Sequence, residues 1–198
     1  MWQLKKAYYR SFQKIMKYAM FIFDWSEPEL LEGPGAVKRL PALIKSKGIN
    51  KVLVVTDKGL MGLHLLDSLF ATLDEAGVEY VVYDGTQPNP TIDNIEDART
   101  LYITNNCEAV VAFGGGSPMD CAKAAAARVT NPKTSVRKMR GTLRVFHKPA
   151  ILFAVPTTAG TAAEVTINYV ITDVEKKRKF VCVDVNDIPE IAVVDPDM

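Results

Sequence analysis

An α/β domain with a doubly wound, mostly parallel sheet is the fold this sequence predicts, and three observations predict it. Short apolar runs rich in β-branched residues recur at Lys51–Thr56, Val78–Tyr83, Glu108–Phe113 and Ala150–Val155. Longer segments of helical spacing separate them, so the order is β-α-β-α-β-α-β-α, the pattern of parallel strands joined by crossover helices. Polar or glycine residues stand at the ends of three separate strands: Asp57, Asn89, and Gly114 to Ser117. Ligands of such sheets bind at the carboxyl ends of the strands.

The elements follow in order. Residues 3 to 23 carry apolar side chains at Leu4, Tyr8, Phe12, Ile15, Met16, Ala19 and Phe23, the spacing of a helix, and Lys5, Lys6, Arg10, Lys14 and Lys17 make its other side basic. A basic amphipathic helix can lie on a membrane, fill a partner's groove, or dock on its own domain or a second subunit. Glu27 to Pro34 interrupts the pattern, with a short strand at Leu30 to Glu32. Gly35–Gly48 is expected to be a helix closed by glycine, Lys51–Thr56 a strand, Leu63–Ala76 a helix stopped by Gly77, and Val78–Tyr83 a strand. Gln87 to Thr91 forms a rigid, proline-bearing loop, and Thr91 caps a helix from Ile92 to Asn105. Thr130–Lys148 is expected to be a solvated, basic connection around a short helix. Beyond the strand Ala150–Val155, a hairpin joins Val165–Thr172 to Arg178–Val183 across the polar turn Asp173–Lys177, and Ile191–Val194 is a last strand.

The stretch with the most chemistry runs from Val110 to Lys123. Its apolar strand ends at Gly114-Gly115-Gly116, a turn without Cβ atoms in which backbone can press against a ligand. Ser117 is placed as the N-cap, Pro118 at the first helical position and Asp120 at the third, opening an alanine-rich helix from Met119 to Val129. Free N–H groups and the positive dipole end at such a start suit a pyrophosphate. Asp57, at the tip of another strand, can hydrogen-bond ribose hydroxyls and repel a 2′-phosphate, which favours NAD over NADP; it can also cap the next helix, and one residue can do both. The hydroxyls of Pro156-Thr157-Thr158-Ala159-Gly160-Thr161, beside small residues at a strand end, can line a cofactor groove. Glu164 is read as a cap or ion-pair partner ahead of a catalytic acid.

Composition narrows the classes. The chain has 198 residues, 48% of them hydrophobic, with 24 Lys plus Arg against 23 Asp plus Glu, so nothing in its charge suggests nucleic acid. Cys107, Cys121 and Cys182 are widely spaced with no CxxC, as expected of buried thiols in a reducing, cytoplasmic setting. No run of about 18 apolar residues suggests a membrane span, and the basic N-terminus continues into an amphipathic pattern rather than a signal peptide.

Gly114-Gly115-Gly116-Ser117-x-x-Asp120-x-x-Lys123 and Pro156-Thr157-Thr158-Ala159-Gly160-Thr161-x-x-Glu164-Val165-Thr166 together resemble the iron-containing alcohol dehydrogenase family. Thr56-Asp57-Lys58-Gly59 and Pro88-Asn89-Pro90-Thr91 fit it as well. The run Thr161–Asp173 and Lys179–Val183 is most similar to its lactaldehyde reductase (1,2-propanediol oxidoreductase) branch. The resemblance covers residue 28 onward. It implies a Rossmann-like, dehydroquinate-synthase-like NAD-binding domain over 28–198, preceded by a helix and linker over 1–27. It places Asp57 on the adenosine ribose and Asn89 near the nicotinamide side. Gly115, Gly116, Ser117, Pro118, Met119 and Asp120 fall around the pyrophosphate. Thr157, Thr158, Thr166 and Lys179 fall further along the nucleotide, and Met198 beside the groove.

The resemblance also implies a helical second domain whose aspartate and three histidines bind a divalent metal, usually Fe2+, that polarises the alcohol oxygen. No counterpart is expected in these residues: His64 and His147 lack ligand spacing, and no metal role is carried to Asp195 or Asp197. Two functions follow. One is the NAD-binding half of a metal-dependent dehydrogenase of small alcohols, diols and aldehydes, inactive alone and completed by a separate C-terminal domain or working as a homodimer. The other is a non-catalytic nucleotide-binding or interaction module.

Overall fold

The computed structural model describes residues 2–19 and 27–198. Helix α1 (Trp2–Ala19) covers most of the basic amphipathic pattern; the last position of that pattern, Phe23, lies outside the described residues. The elements then run β1 (Glu29–Glu32), α2 (Ala36–Ser46), β2 (Lys51–Val55), α3 (Lys58–Gly62), α4 (Asp67–Glu75), β3 (Glu79–Tyr83), α5 (Ile92–Thr104), β4 (Ala109–Gly114) and α6 (Gly116–Thr130). The two-residue β5 (Gly141–Thr142), β6 (Ile151–Pro156), β7 (Asn168–Asp173), β8 (Arg178–Val183) and β9 (Ile191–Val194) complete the chain.

Six strands form one parallel sheet in the order β1-β9-β6-β4-β2-β3. Its inner strands β2, β4, β6 and β9 read as nearly unbroken apolar runs because both faces are covered. Leu53, Val55, Val110, Ala112, Leu152 and Ala154 face α5, α6 and the small second sheet. Their sequence neighbours Val52, Val54, Val111, Phe113, Phe153 and Val155 face α2 and α4. The alternation follows from successive strand side chains pointing to opposite faces. Ala122 and Ala124 to Ala127 are at most 1% exposed, so α6 lies close against the sheet where a bulkier helix would be held off. The expected fold class, a doubly wound Rossmann-like α/β sheet, is the one observed.

Several local expectations change. The helix expected from Leu63 to Ala76 begins only at Asp67, after His64 turns left-handed at φ 58°, and a short helix not expected, α3, precedes it directly after β2, where the Asp57 carboxylate accepts the Leu60 N–H at 3.0 Å. The Thr130–Lys148 connection is pinned rather than solvated throughout. Val136, Met139 and Val145 are buried in the α6-side core. Asn131 bonds both backbone groups of His147, and Asp184 accepts the Val145 N–H at 3.0 Å. Three apolar residues scattered among charged ones carry no periodicity, which is why the burial does not show in the sequence.

The hairpin is antiparallel with Asp173 opposite Arg178, and β5 extends it into a three-stranded sheet, β5-β8-β7. The buried Asp173 accepts two hydrogen bonds from Arg137, at 2.8 and 3.0 Å, which hold its carboxyl at a pKa of about 2. The three cysteines are buried free thiols, as the sequence suggests.

Candidate functional site

The chain passes from β2 to β3 on one side, then returns to lay β4 on the other side of β2. Strand order reverses between β2 and β4, and a doubly wound sheet opens a crevice at that point, beyond the carboxyl ends. The crevice is a cleft of about 740 Å3, within the usual size range of small-molecule sites.

One wall comes from β4 and α6. Gly114 takes φ +142°, and a Cβ there would lie 2.7 Å from the Pro118 ring and 2.8 Å from Leu60. Only glycine fits, so the chain can leave the strand and turn at once into the helix. The helix begins two residues earlier than expected: its N-cap is Gly115 and Ser117 is its second residue. The first α-helical bond, Met119 N–H to Gly115 O, is 3.2 Å. Pro118 is tolerated at the third position because N–H groups of a first turn have no helical partner anyway. No acceptor among the described residues takes the N–H of Gly115, Gly116 or Ser117. Open donors at the positive end of a 15-residue helix, lining a cleft, fit an anionic pyrophosphate.

The opposite wall starts at Asp57. Its Oδ1 caps α3, and Oδ2 has no partner among the described residues. Both expectations for this residue are therefore compatible: one oxygen is spent on the helix and one is open. Thr157 and Thr158 follow β6, with Thr157 N–H donating to Gly114 O at 3.1 Å, so the threonine turn is clipped to the glycine turn. Asn89 sits left-handed between two prolines at φ 61°. Its N–H donates to Ser117 Oγ at 3.2 Å, and Lys179 Nζ donates to its Oδ1 at 2.6 Å. Loop 87–90 is thus tied to α6 on one side and to the β7–β8 hairpin on the other.

Asp57, Gly115, Gly116, Ser117, Pro118, Thr157 and Thr158 line the one cleft. Asn89 and Lys179 form an exposed pair at its margin. The rest of the sequence-derived set lies elsewhere. Met119 is buried in the core, and Met198 packs against the α2 and α4 side. Thr166 faces Lys123 and lines a separate hollow with Pro28, Leu30 and Ile188. Asp120 points back at β7, where it accepts the Val170 N–H at 3.1 Å. The buried Lys123 donates to Thr166 O, to Thr166 Oγ1 at 3.2 Å and to Asn168 O at 3.4 Å. Asp120 and Lys123 thereby fasten the base of the glycine-turn helix to the hairpin. Glu164 lies near Lys123 and forms no ion pair among the described residues.

Sequence reasoning missed Gly85 and Thr86, which also line the cleft. Gly85 bridges to Asp57, and a Cβ on it would meet the Tyr83 ring at 2.9 Å. An Asp-Gly pair just past a strand was the available signal. Nothing in sequence signalled the clamp role of Lys123, because a lysine on an alanine-rich helix looks solvated until its partners are known.

Burial raises the Asp120 pKa from 3.8 to about 6 and lowers that of Lys123 from 10.5 to about 8. Well below pH 3.8 Asp120 is protonated in both the folded and the unfolded chain. Between pH 3.8 and about 6 the unfolded chain ionises while the folded chain keeps the proton, so stability is lost across that interval and stays lower above it. Asn at this position keeps an acceptor for Val170 and has no charge. Asp120→Asn is therefore expected to leave stability near pH 3 nearly unchanged and to raise it by about 1–3 kcal/mol at pH 7, read from urea unfolding at both pH values.

Among the described residues no group of three or more His, Cys, Asp or Glu side chains is placed to hold a metal ion. His64 pairs with Asp67 at 3.2 Å on the surface.

A reversal of strand order, a glycine turn with open N–H donors and a carboxylate at the tip of the neighbouring strand are the features with which doubly wound α/β domains take nucleotides. Residues 28–196 match the iron-containing alcohol dehydrogenase family, and the chain belongs to it. It is 46% identical over 168 residues to lactaldehyde reductase of Escherichia coli (strain K12), an alignment covering 84% of this chain and 44% of that protein. A crystal structure of 1,3-propanediol oxidoreductase superposes with a TM-score of 0.83 at 35% identity, over 88% of this chain and 46% of that one. Sulfoacetaldehyde reductase from Bifidobacterium kashiwanohense, solved in complex with NAD+, superposes with a TM-score of 0.78 at 29% identity, over 88% and 46%. The chain spans less than half the length of these relatives. No helix among the described residues is long and apolar enough to cross a membrane.

Proposed function

We propose that residues 28–198 are an NAD-binding domain, and that the chain is the cofactor half of a metal-dependent dehydrogenase of small alcohols, diols and aldehydes. The observation that carries this reading is the open donor set of α6 facing the free oxygen of Asp57 across one cleft at the strand reversal. The substrate class is supported by the names of the relatives, lactaldehyde reductase and 1,3-propanediol oxidoreductase.

NAD, when bound, supplies the hydride acceptor or donor. The N–H groups of Gly115, Gly116 and Ser117 hold its pyrophosphate, with the dipole of α6 behind them. Asp57 Oδ2 accepts from a ribose hydroxyl and repels a 2′-phosphate. The Thr157 and Thr158 hydroxyls fix the nucleotide against the β6 end, and the Asn89–Lys179 pair bounds the far side. Met119, Asp120 and Thr166 act by positioning these walls. We assign the iron from which the family takes its name to ligands outside these residues, on a helical domain or another chain, so 1–198 alone is expected to turn over no alcohol. A homodimer and a cytoplasmic setting belong to the same reading, the latter supported by three buried free thiols.

The test is calorimetric titration of the folded chain with NAD and then NADP, for the wild type and Asp57→Ser. Serine keeps the helix cap but is too short to reach the ribose. NAD is expected to bind the wild type in preference to NADP. The variant is expected to lose about tenfold in NAD affinity, the worth of one or two hydrogen bonds, and to narrow the preference. No heat with either nucleotide overturns the reading, and an unchanged preference removes Asp57 from it.

A further inference from the structure

Helix α1 precedes the family match and takes no part in the cleft. Its apolar side chains lie open, from 51% exposed at Phe12 to 77% at Leu4. At 3.6 residues per turn, Leu4, Tyr8, Phe12 and Ile15 share one side of the helix. Lys6, Arg10, Lys14 and Lys17 share the other, with Gln3 and Gln13 among them. Trp2 and Tyr9 stand on one border between the two sides and Tyr18 on the other. Lys5 alone sits toward the apolar side, and its long stem lets the ammonium reach outward. Lys6 Nζ lies 5.0 Å from the Trp2 ring centre, pairing a cation with an aromatic at that border.

Charge is segregated as well as hydropathy. The helix holds five of the chain's 24 basic residues and none of its 23 acidic ones, so the remainder is net acidic by four. A second copy of α1 would offer no acid to pair these five cations, whereas an anionic surface along the helix meets the basic side and the apolar side at once. A protein groove takes a narrow apolar stripe. Here the apolar side spans more than half the circumference and has aromatic rings at both borders, which suits a flat boundary between hydrocarbon and water. We infer that α1 lies in the plane of an anionic lipid surface, its Leu4–Phe12–Ile15 side among the acyl chains and its basic side among the headgroups, and holds the α/β domain peripherally at a membrane.

The inference is independent of the nucleotide site and is tested with the whole 198-residue chain. Its binding is measured by co-sedimentation with phosphatidylcholine vesicles and with vesicles containing 30% phosphatidylglycerol, at low and high salt. Two triple variants accompany it, Lys6→Glu/Arg10→Glu/Lys17→Glu and Leu4→Ser/Phe12→Ser/Ile15→Ser, each checked for the wild-type unfolding transition. The expected result is binding at least tenfold tighter to anionic than to neutral vesicles, weakened by salt and lost by tenfold or more in both variants. Equal binding to both vesicle types overturns it, as does no binding to either. Self-association of the wild type that the serine variant abolishes, without vesicle binding, would instead assign the apolar side to a second copy.

Discussion

Gly114→Ala is expected to lower folding stability by about 3–5 kcal/mol, the largest effect of any single substitution at the site. Two costs add. The backbone φ of +142° is a conformation that residues with a Cβ rarely adopt, which alone costs about 1–3 kcal/mol. The added methyl also meets Pro118 at 2.7 Å and Leu60 at 2.8 Å. Leu60 can rotate away, but Pro118 is a rigid ring in the first turn of α6, so the helix start must move; such overpacking costs about 1–3 kcal/mol. Urea unfolding of the purified variant measures the loss. A change below 1 kcal/mol would show that the turn relaxes without the glycine.

Gly115→Val is expected to have the opposite character: little loss of stability and nearly complete loss of nucleotide binding. Gly115 has φ −80°, which valine adopts readily. A Cβ there lies 3.2 Å from Thr158 Oγ1 and 3.4 Å from its Cγ2, and Thr158 is an exposed side chain that can shift. The isopropyl group then occupies the cleft where the open N–H groups point. Hydrogen bonds to charged groups contribute about 1.5–3 kcal/mol each, so losing two of them lowers NAD affinity by about 100-fold or more. Calorimetry against the wild type reads this directly. Wild-type affinity in a folded variant would move the pyrophosphate away from α6. One glycine thus serves the backbone and its neighbour serves the ligand, a difference that the triplet Gly114-Gly115-Gly116 does not display.

The sheet was legible because its strands are apolar on both faces, and a run such as Val110–Phe113 fits little other than a central parallel strand. Asp57 and the glycine turn were legible for a related reason. Both lie within a few residues of a strand end, and the topology of alternating strands and helices carries strand ends to one edge of the sheet. Local chemistry was read less well. Ser117 looks like a cap, yet the close approach of Gly114 to Pro118 starts the helix at Gly116, and Ser117 Oγ instead accepts the Asn89 N–H. Val136, Met139 and Val145 looked solvated because isolated apolar residues in a basic loop have no period to reveal a buried side.

By itself the sequence determined the order of elements, the parallel sheet, and the family, since those depend on periodicity and on short motifs that act within one turn of chain. Only the tertiary structure decided which motif residues share a cleft. Asp57, Gly115, Ser117 and Thr158 converge there, while Asp120, Lys123 and Thr166 join α6 to the hairpin behind it. Asp120 and Lys123, three apart, share one face of α6, but which neighbour that face meets, a segment 43 to 50 positions further along the chain, is set by packing and not by spacing along the chain.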